Sequence, residues 1–114
     1  MNNNDYDEYV GILLEKARKI ERAKRPAYTF GNNDVLKNFK SVSDRLQLTP
    51  LQVWAVYAMK HMDAIASFAA DEDIPQAEEI TGRFADLLNY LKLGYALAIE
   101  TKRINIPQEE ESNE

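Results

Sequence analysis

The chain has 114 residues, 45% hydrophobic and 29% charged, with a formal net charge of −5 and no cysteine. That is enough chain for one domain with a modest core. The composition excludes disulfides, thiol nucleophiles and zinc–thiolate sites. No run approaches the ~18–20 apolar residues of a membrane span, and the acidic balance disfavours long-range attraction to nucleic acid.

The opening residues Met1–Asn4 are polar and are expected to be disordered; their acidic context does not suit a secretion signal, so a cytoplasmic location is expected. Asp5 can cap a first helix over residues 6–24, with Tyr6, Val10, Leu13, Ala17 and Ile20 as its seam. Asp7 and Glu8 sit at its positive end and basic residues at its negative end, which suits the helix dipole. Lys16, Arg18, Lys19, Arg22, Lys24 and Arg25 form a dense basic cluster. It reads either as a solvated helix face or as a phosphate-binding surface. Pro26 is expected to stop the helix, and residues 25–33 to form a loop whose Tyr28 and Phe30 fold back on the core.

A second helix is expected over residues 34–46, burying Val35 or Leu36, Phe39, Val42 and Leu46. Thr49-Pro50-Leu51-Gln52 is a strong helix start, with a threonine cap, proline in the first turn and a glutamine that closes a capping box. The third helix should cover residues 50–70 and bury Leu51, Trp54, Ala58, Ile65 and Phe68, with Val53 and Val56 flanking the opposite side. It is apolar nearly all round and is expected to be central.

The fourth helix, over residues 76–102, carries the clearest pattern. Ile80, Phe84, Leu87, Leu88, Leu91, Tyr95 and Ala98 fall in one arc, the expected core stripe. Glu78, Gly82, Asp86 and Asn89 share the other side with Leu93 and Leu97, beside Arg83 and Tyr90. A face that begins in carboxylates and ends in leucine is expected to be partly covered by another helix, from this chain or a partner. Residues 105–114 read as a disordered acidic tail. The fold class is therefore all-α: one compact four-helix domain over residues 1–104 that oligomerises with itself through the two long helices.

Candidate chemistry lies on the third and fourth helices. Asp63, Glu78 and Asp86 could face one gap, hold Mg²⁺ through oxygen ligands and serve catalysis. Lys60 and Arg83 would neutralise phosphate, with Asn89 and Tyr90 reading and stacking on a base. The plainer alternative makes Lys60–Asp63 an i,i+3 pair and the other groups surface charges. His61, the single histidine, reads as a packed core-rim residue before it reads as a ligand or base. There is no HExxH, P-loop or GxGxxG pattern.

The runs Asn38-Phe39-Lys40, Leu48–Val53 and Val56–Ile65, followed by Glu78–Tyr90 with Gly82-Arg83 and Asp86-x-x-Asn89-Tyr90, resemble small phage and prophage proteins of the nucleotide-modification-associated type. The resemblance implies that Asp34, Lys60, His61, Asp63, Glu78, Arg83, Asp86, Asn89 and Tyr90 match the group's recurring polar positions. Thr81 and Ala85 depart from it, standing where acidic residues are expected. A broader likeness to MazG-like all-α nucleotide pyrophosphohydrolases is one of fold and acid-rich helices, without that superfamily's ExxE helix. Two functions fit. One is a phage-type protein that acts on or senses a nucleotide, modified or cyclic, including Mg²⁺-dependent phosphohydrolysis. The other is a non-catalytic anti-defence protein that sequesters a signalling nucleotide or blocks a host immune protein.

Overall fold

The computed structural model describes residues 1–29, 34–73 and 80–110. These form four helices, α1 (Asn3–Thr29), α2 (Lys37–Leu46), α3 (Pro50–Ala70) and α4 (Ile80–Glu100), and no strand among the described residues. No described helix is long and apolar enough to cross a membrane. The all-α, four-helix expectation holds.

Helix ends follow local chemistry, with two corrections. The cap of α1 is Asn2, whose Oδ1 accepts the Asp5 N–H at 2.8 Å, so the helix begins before Asp5 and includes Asn3 and Asn4. It also passes through Pro26 to Thr29, where a loop was expected. Proline has no N–H to donate to the carbonyl four residues back, and only three residues of helix follow it here, so the break affects the last turn alone. The anchoring expected of Tyr28 and Phe30 lies outside the described side chains. α3 begins with the full capping box: Thr49 Oγ1 accepts the Gln52 N–H at 3.2 Å, and Gln52 Oε1 accepts the Thr49 N–H at 2.8 Å. α2 starts later than expected, at Lys37, because Asp34 Oδ1 takes the Leu36 N–H at 2.9 Å and holds a turn ahead of it. Gln47 closes α2 in the left-handed region at φ 55°. α4 ends similarly, with Lys102 at φ 63° and the Arg103 N–H on the Ala98 carbonyl at 2.8 Å.

Helices α2, α3 and α4 form a body around Leu36, Phe39, Val53 and Leu97, each buried, with Trp54, Tyr57, Tyr90 and Leu93 packed against them. Phe39, Tyr57 and Tyr90 make a three-ring cluster with centroids 6.1–6.5 Å apart. α1 lies against α4 and touches α2. Its first half runs on past that contact, and Tyr6, Tyr9 and Ile12 are exposed.

The burial of α4 overturns the expected stripe. Ala85, Asn89, Gly94 and Leu97 are the buried positions. Phe84, Leu91 and Tyr95 stand 41–52% exposed. The side of α4 that carries the polar residues is thus the side that α1, α2 and α3 cover. One steric reason lies at the edge of the covered side. At Gly94 a Cβ would fall 2.2 Å from Trp54 Cε2, so the bare backbone there admits the indole, whose Nε1 donates to the Tyr90 carbonyl at 2.6 Å. Similarly on α3, Val53 is buried under α2 although it was expected on the outer side, while Phe68 is exposed.

Candidate functional site: a cation-lined cleft between α1 and α4

Where α1 crosses α4 the two helices leave a cleft of about 200 Å³, lined by Glu21, Lys24, Arg25, Val35, Asn89, Lys92 and Leu93. Its cations come from two elements. Lys24 and Arg25 lie two turns beyond the point where Ala17 meets α4, and Lys92 lies one turn beyond Asn89. Glu21 holds two of them, accepting from Arg25 at 3.0 Å and pairing with Lys92 at 2.5 Å. Lys24 reaches Asp86 at 3.2 Å. Three cations share two carboxylates, so the cluster keeps a net positive charge in a chain that is acidic as a whole. Val35 and Leu93 supply the apolar wall.

Asn89 fixes the crossing. Its side chain is buried, and Nδ2 donates to the Ala17 carbonyl at 2.8 Å. Oδ1 is buried with no hydrogen-bond partner.

The residues singled out from the sequence fall into separate places. Asp86 and Asn89 are at the α1–α4 contact, where Asp86 is bound to Lys24. Tyr90 belongs to the aromatic cluster, and His61 packs on it with ring centroids 4.7 Å apart. Burial lowers the His61 pKa from its usual range; nearby Asp86 opposes this, and Arg83, Lys24 and Lys60 add to it. His61 Nδ1 is buried without a partner, consistent with a neutral ring. The ring is thus packed at the rim of the core as expected, but its Nδ1 lacks the hydrogen bond that a packed histidine was expected to make. Arg83 is half-buried, whereas Lys60 and Asp63 are exposed on α3. Asp34 lies at the entry to α2, bound to Lys40 at 2.6 Å; Lys40 also pairs with Glu100. The hydrogen bond from Lys40, then that from the Leu36 N–H, holds the Asp34 carboxyl below its ordinary range. Asp34 and Glu100 raise the Lys40 pKa in turn.

Glu78 lies outside the described residues. Among those described, no three histidine, cysteine or acidic side chains are grouped as a metal would need.

Sequence reasoning singled out Asn89 and noticed the basic cluster that includes Lys24 and Arg25, but it did not single out Glu21 or Lys92. The signal available was that Lys92 stands one turn after Asn89, beside it on the helix surface. Comparison of the chain with protein-family models, with curated proteins and with solved structures finds no match.

Proposed function

We propose that the protein binds a small phosphorylated ligand of the nucleotide class in the α1–α4 cleft and retains it without turnover. The observation that carries this reading is the convergence of Lys24, Arg25 and Lys92 on one apolar-walled cleft. Lysine and arginine there offer point charge and a planar fork to phosphate oxygens. Val35 and Leu93 offer a surface for a sugar or base. The cleft is smaller than the ~300–1,000 Å³ that encloses a whole drug-sized ligand. It therefore takes the phosphate-bearing end and leaves the remainder at the opening.

Retention is favoured over hydrolysis by how the acids are used. Glu21 and Asp86 are engaged with the cations. Asp63 is exposed on α3, away from that cleft. Mg²⁺ held by Asp63, Glu78 and Asp86 is the catalytic alternative, and it requires those three to meet. The nucleotide-sequestering, phage-type role implied by the resemblance fits a binder of this kind. A host-cell cytoplasmic setting belongs to the same proposal.

Glu21 makes the test directional, because an incoming phosphate competes with its carboxylate for Arg25 and Lys92. Isothermal titration against a panel of mono-, di- and cyclic nucleotides, with and without Mg²⁺, measures it. Lys92→Ala should weaken binding about tenfold or more, in line with loss of a charge-assisted contact. Glu21→Gln should strengthen it, and Lys60→Ala should leave it unchanged. Absence of binding by every nucleotide at millimolar concentration, or equal affinity in wild type and Lys92→Ala, overturns the proposal. Turnover that needs Mg²⁺ and is abolished by Asp86→Ala would instead establish the hydrolase.

A further inference from the structure

The stripe on α4 expected to form the core lies at the surface, and it has a counterpart on α3. On α4, Tyr90 faces α2 through Phe39, and Asn89 faces α1. Phe84, Leu88, Leu91 and Tyr95 recur at three- and four-residue steps on a flank that neither helix covers. On α3, Trp54 and His61 face α4 and Tyr57 faces α2. Met59 and Met62 project from the flank opposite Tyr57. Both flanks lie on the side of the α3–α4 pair turned away from α2, and they join into one face.

The middle of that face carries no charge. Between the outward methionines on α3 stand only Ala55 and Ala66, while Asp63 lies at the rim, one turn after Met59, and Lys60 lies further round. Met59 is 60% exposed, Met62 48%, Phe84 41%, Leu91 52% and Tyr95 51%. At roughly 200 Å² for a fully exposed side chain of this size, these five alone offer roughly 500 Å² of largely apolar surface. A stable interface buries about 800 Å² on each partner, and half-buried Leu87, Leu88 and Ala98 on the same flank extend the patch toward that figure. The whole chain exposes 8899 Å². A folded monomer of 13.1 kDa is expected to expose about 6,400 Å². The exposed residues 101–110 and the projecting half of α1 contribute to that excess, and so does this face.

We propose that a second copy of this chain covers the α3–α4 face, giving a two-fold dimer whose interface is a four-helix layer. A face with an uncharged middle suits a copy of itself. Each protomer carries a net charge of −5, so two approach at least cost where the acids, Asp63 among them, stand at the rim and not in the middle. A two-fold axis also sets the same methionines, leucines and aromatics against one another, with no complementary charges required. The inference is independent of the ligand cleft, which lies on the α1 side of α4.

Sedimentation equilibrium from 1 to 200 µM should show wild type converting to a species of twice the monomer mass. Leu91→Glu and Met59→Glu, both at exposed positions, should weaken the association at least tenfold while circular dichroism keeps the helical signal. Ile12→Glu, exposed on α1 and off the face, should leave it unchanged. A readout without variants uses peroxide oxidation followed by peptide mass spectrometry. At high protein concentration Met59 and Met62 should oxidise several-fold more slowly than exposed Met1, and dilution should remove that protection. A monomer at 200 µM, dimerisation disrupted by Ile12→Glu and not by Leu91→Glu, or oxidation of Met59 and Met62 that is indifferent to concentration would each overturn the inference. So would a complex whose mass requires a different chain on this face.

Discussion

Replacing Gly94 by alanine sets two effects of opposite sign against each other. An isolated helix gains about 1 kcal/mol from the exchange, because alanine loses less backbone freedom. Here the new methyl carbon would lie 2.2 Å from Trp54 Cε2, 2.3 Å from Cζ2 and 2.7 Å from Nε1. The indole cannot yield cheaply, since it is packed against the core and tied to the Tyr90 carbonyl at 2.6 Å. Forced repacking costs about 1–3 kcal/mol, and the lost hydrogen bond about 1 kcal/mol more. After the helix gain, Gly94→Ala should be destabilised by roughly 1–3 kcal/mol. With a urea slope of about 1.5 kcal/mol per molar, the midpoint falls by roughly 1–2 M. The single tryptophan is itself the reporter: its fluorescence should shift in the native state as well as on unfolding. Gly11→Ala and Gly82→Ala are the controls. A Cβ at Gly11 meets nothing within 4 Å, and at Gly82 it makes an ordinary 3.9 Å contact with Lys16 Cε. Each should be stabilised by up to ~1 kcal/mol. All are compared at one protein concentration, since self-association adds to apparent stability. A Gly94→Ala protein as stable as wild type would refute the account of how α3 and α4 meet.

Three further outcomes are expected. Phe39→Ala should cost about 3–5 kcal/mol in the same urea assay, because the ring is 1% exposed at the centre of the aromatic cluster; Lys60→Ala and Asp63→Ala, at exposed positions, should stay within about 0.5 kcal/mol of wild type. The His61 pKa is lowered in the fold, so its contribution to stability is complete above the unfolded value of about 6.5 and is lost as pH falls through the folded value. His61→Phe should flatten that part of a stability–pH profile, and proton NMR of the single imidazole should titrate below 6.5. Asp34 is likewise lowered, so its contribution is present above the ordinary carboxylate range and fades as pH falls through the folded value, below 3.8; Asp34→Asn should remove that acid-side slope in urea melts taken below pH 4.

The candidate site was legible in part. The basic run on α1 was plain, and Asn89 was marked as polar on a helix side that another helix should cover. What brought them together was the crossing of α1 and α4, a contact between residues 72 apart in the chain. No local pattern specifies such a crossing. Lys92 reads as a solvated lysine until Glu21 is placed beside it. Asp63 and Asp86 looked like neighbours on antiparallel helices, yet Lys24 from α1 takes Asp86 and leaves Asp63 in water.

Local sequence alone determined that the chain is helical and where α3 begins and ends, because caps, proline in a first turn and a 3.6-residue period act over a few residues. It also determined that α4 has a continuous apolar stripe. Only the tertiary structure decided which way that stripe points. Periodicity reports that a helix has a side averse to water; it does not report which neighbour can approach most closely. Gly94 and Ala85 stand about 180° apart on the wheel, at the two edges of the covered side, where small residues leave room for close neighbours, and the packing won there made the side between them the interior. The larger side chains opposite were left at the surface.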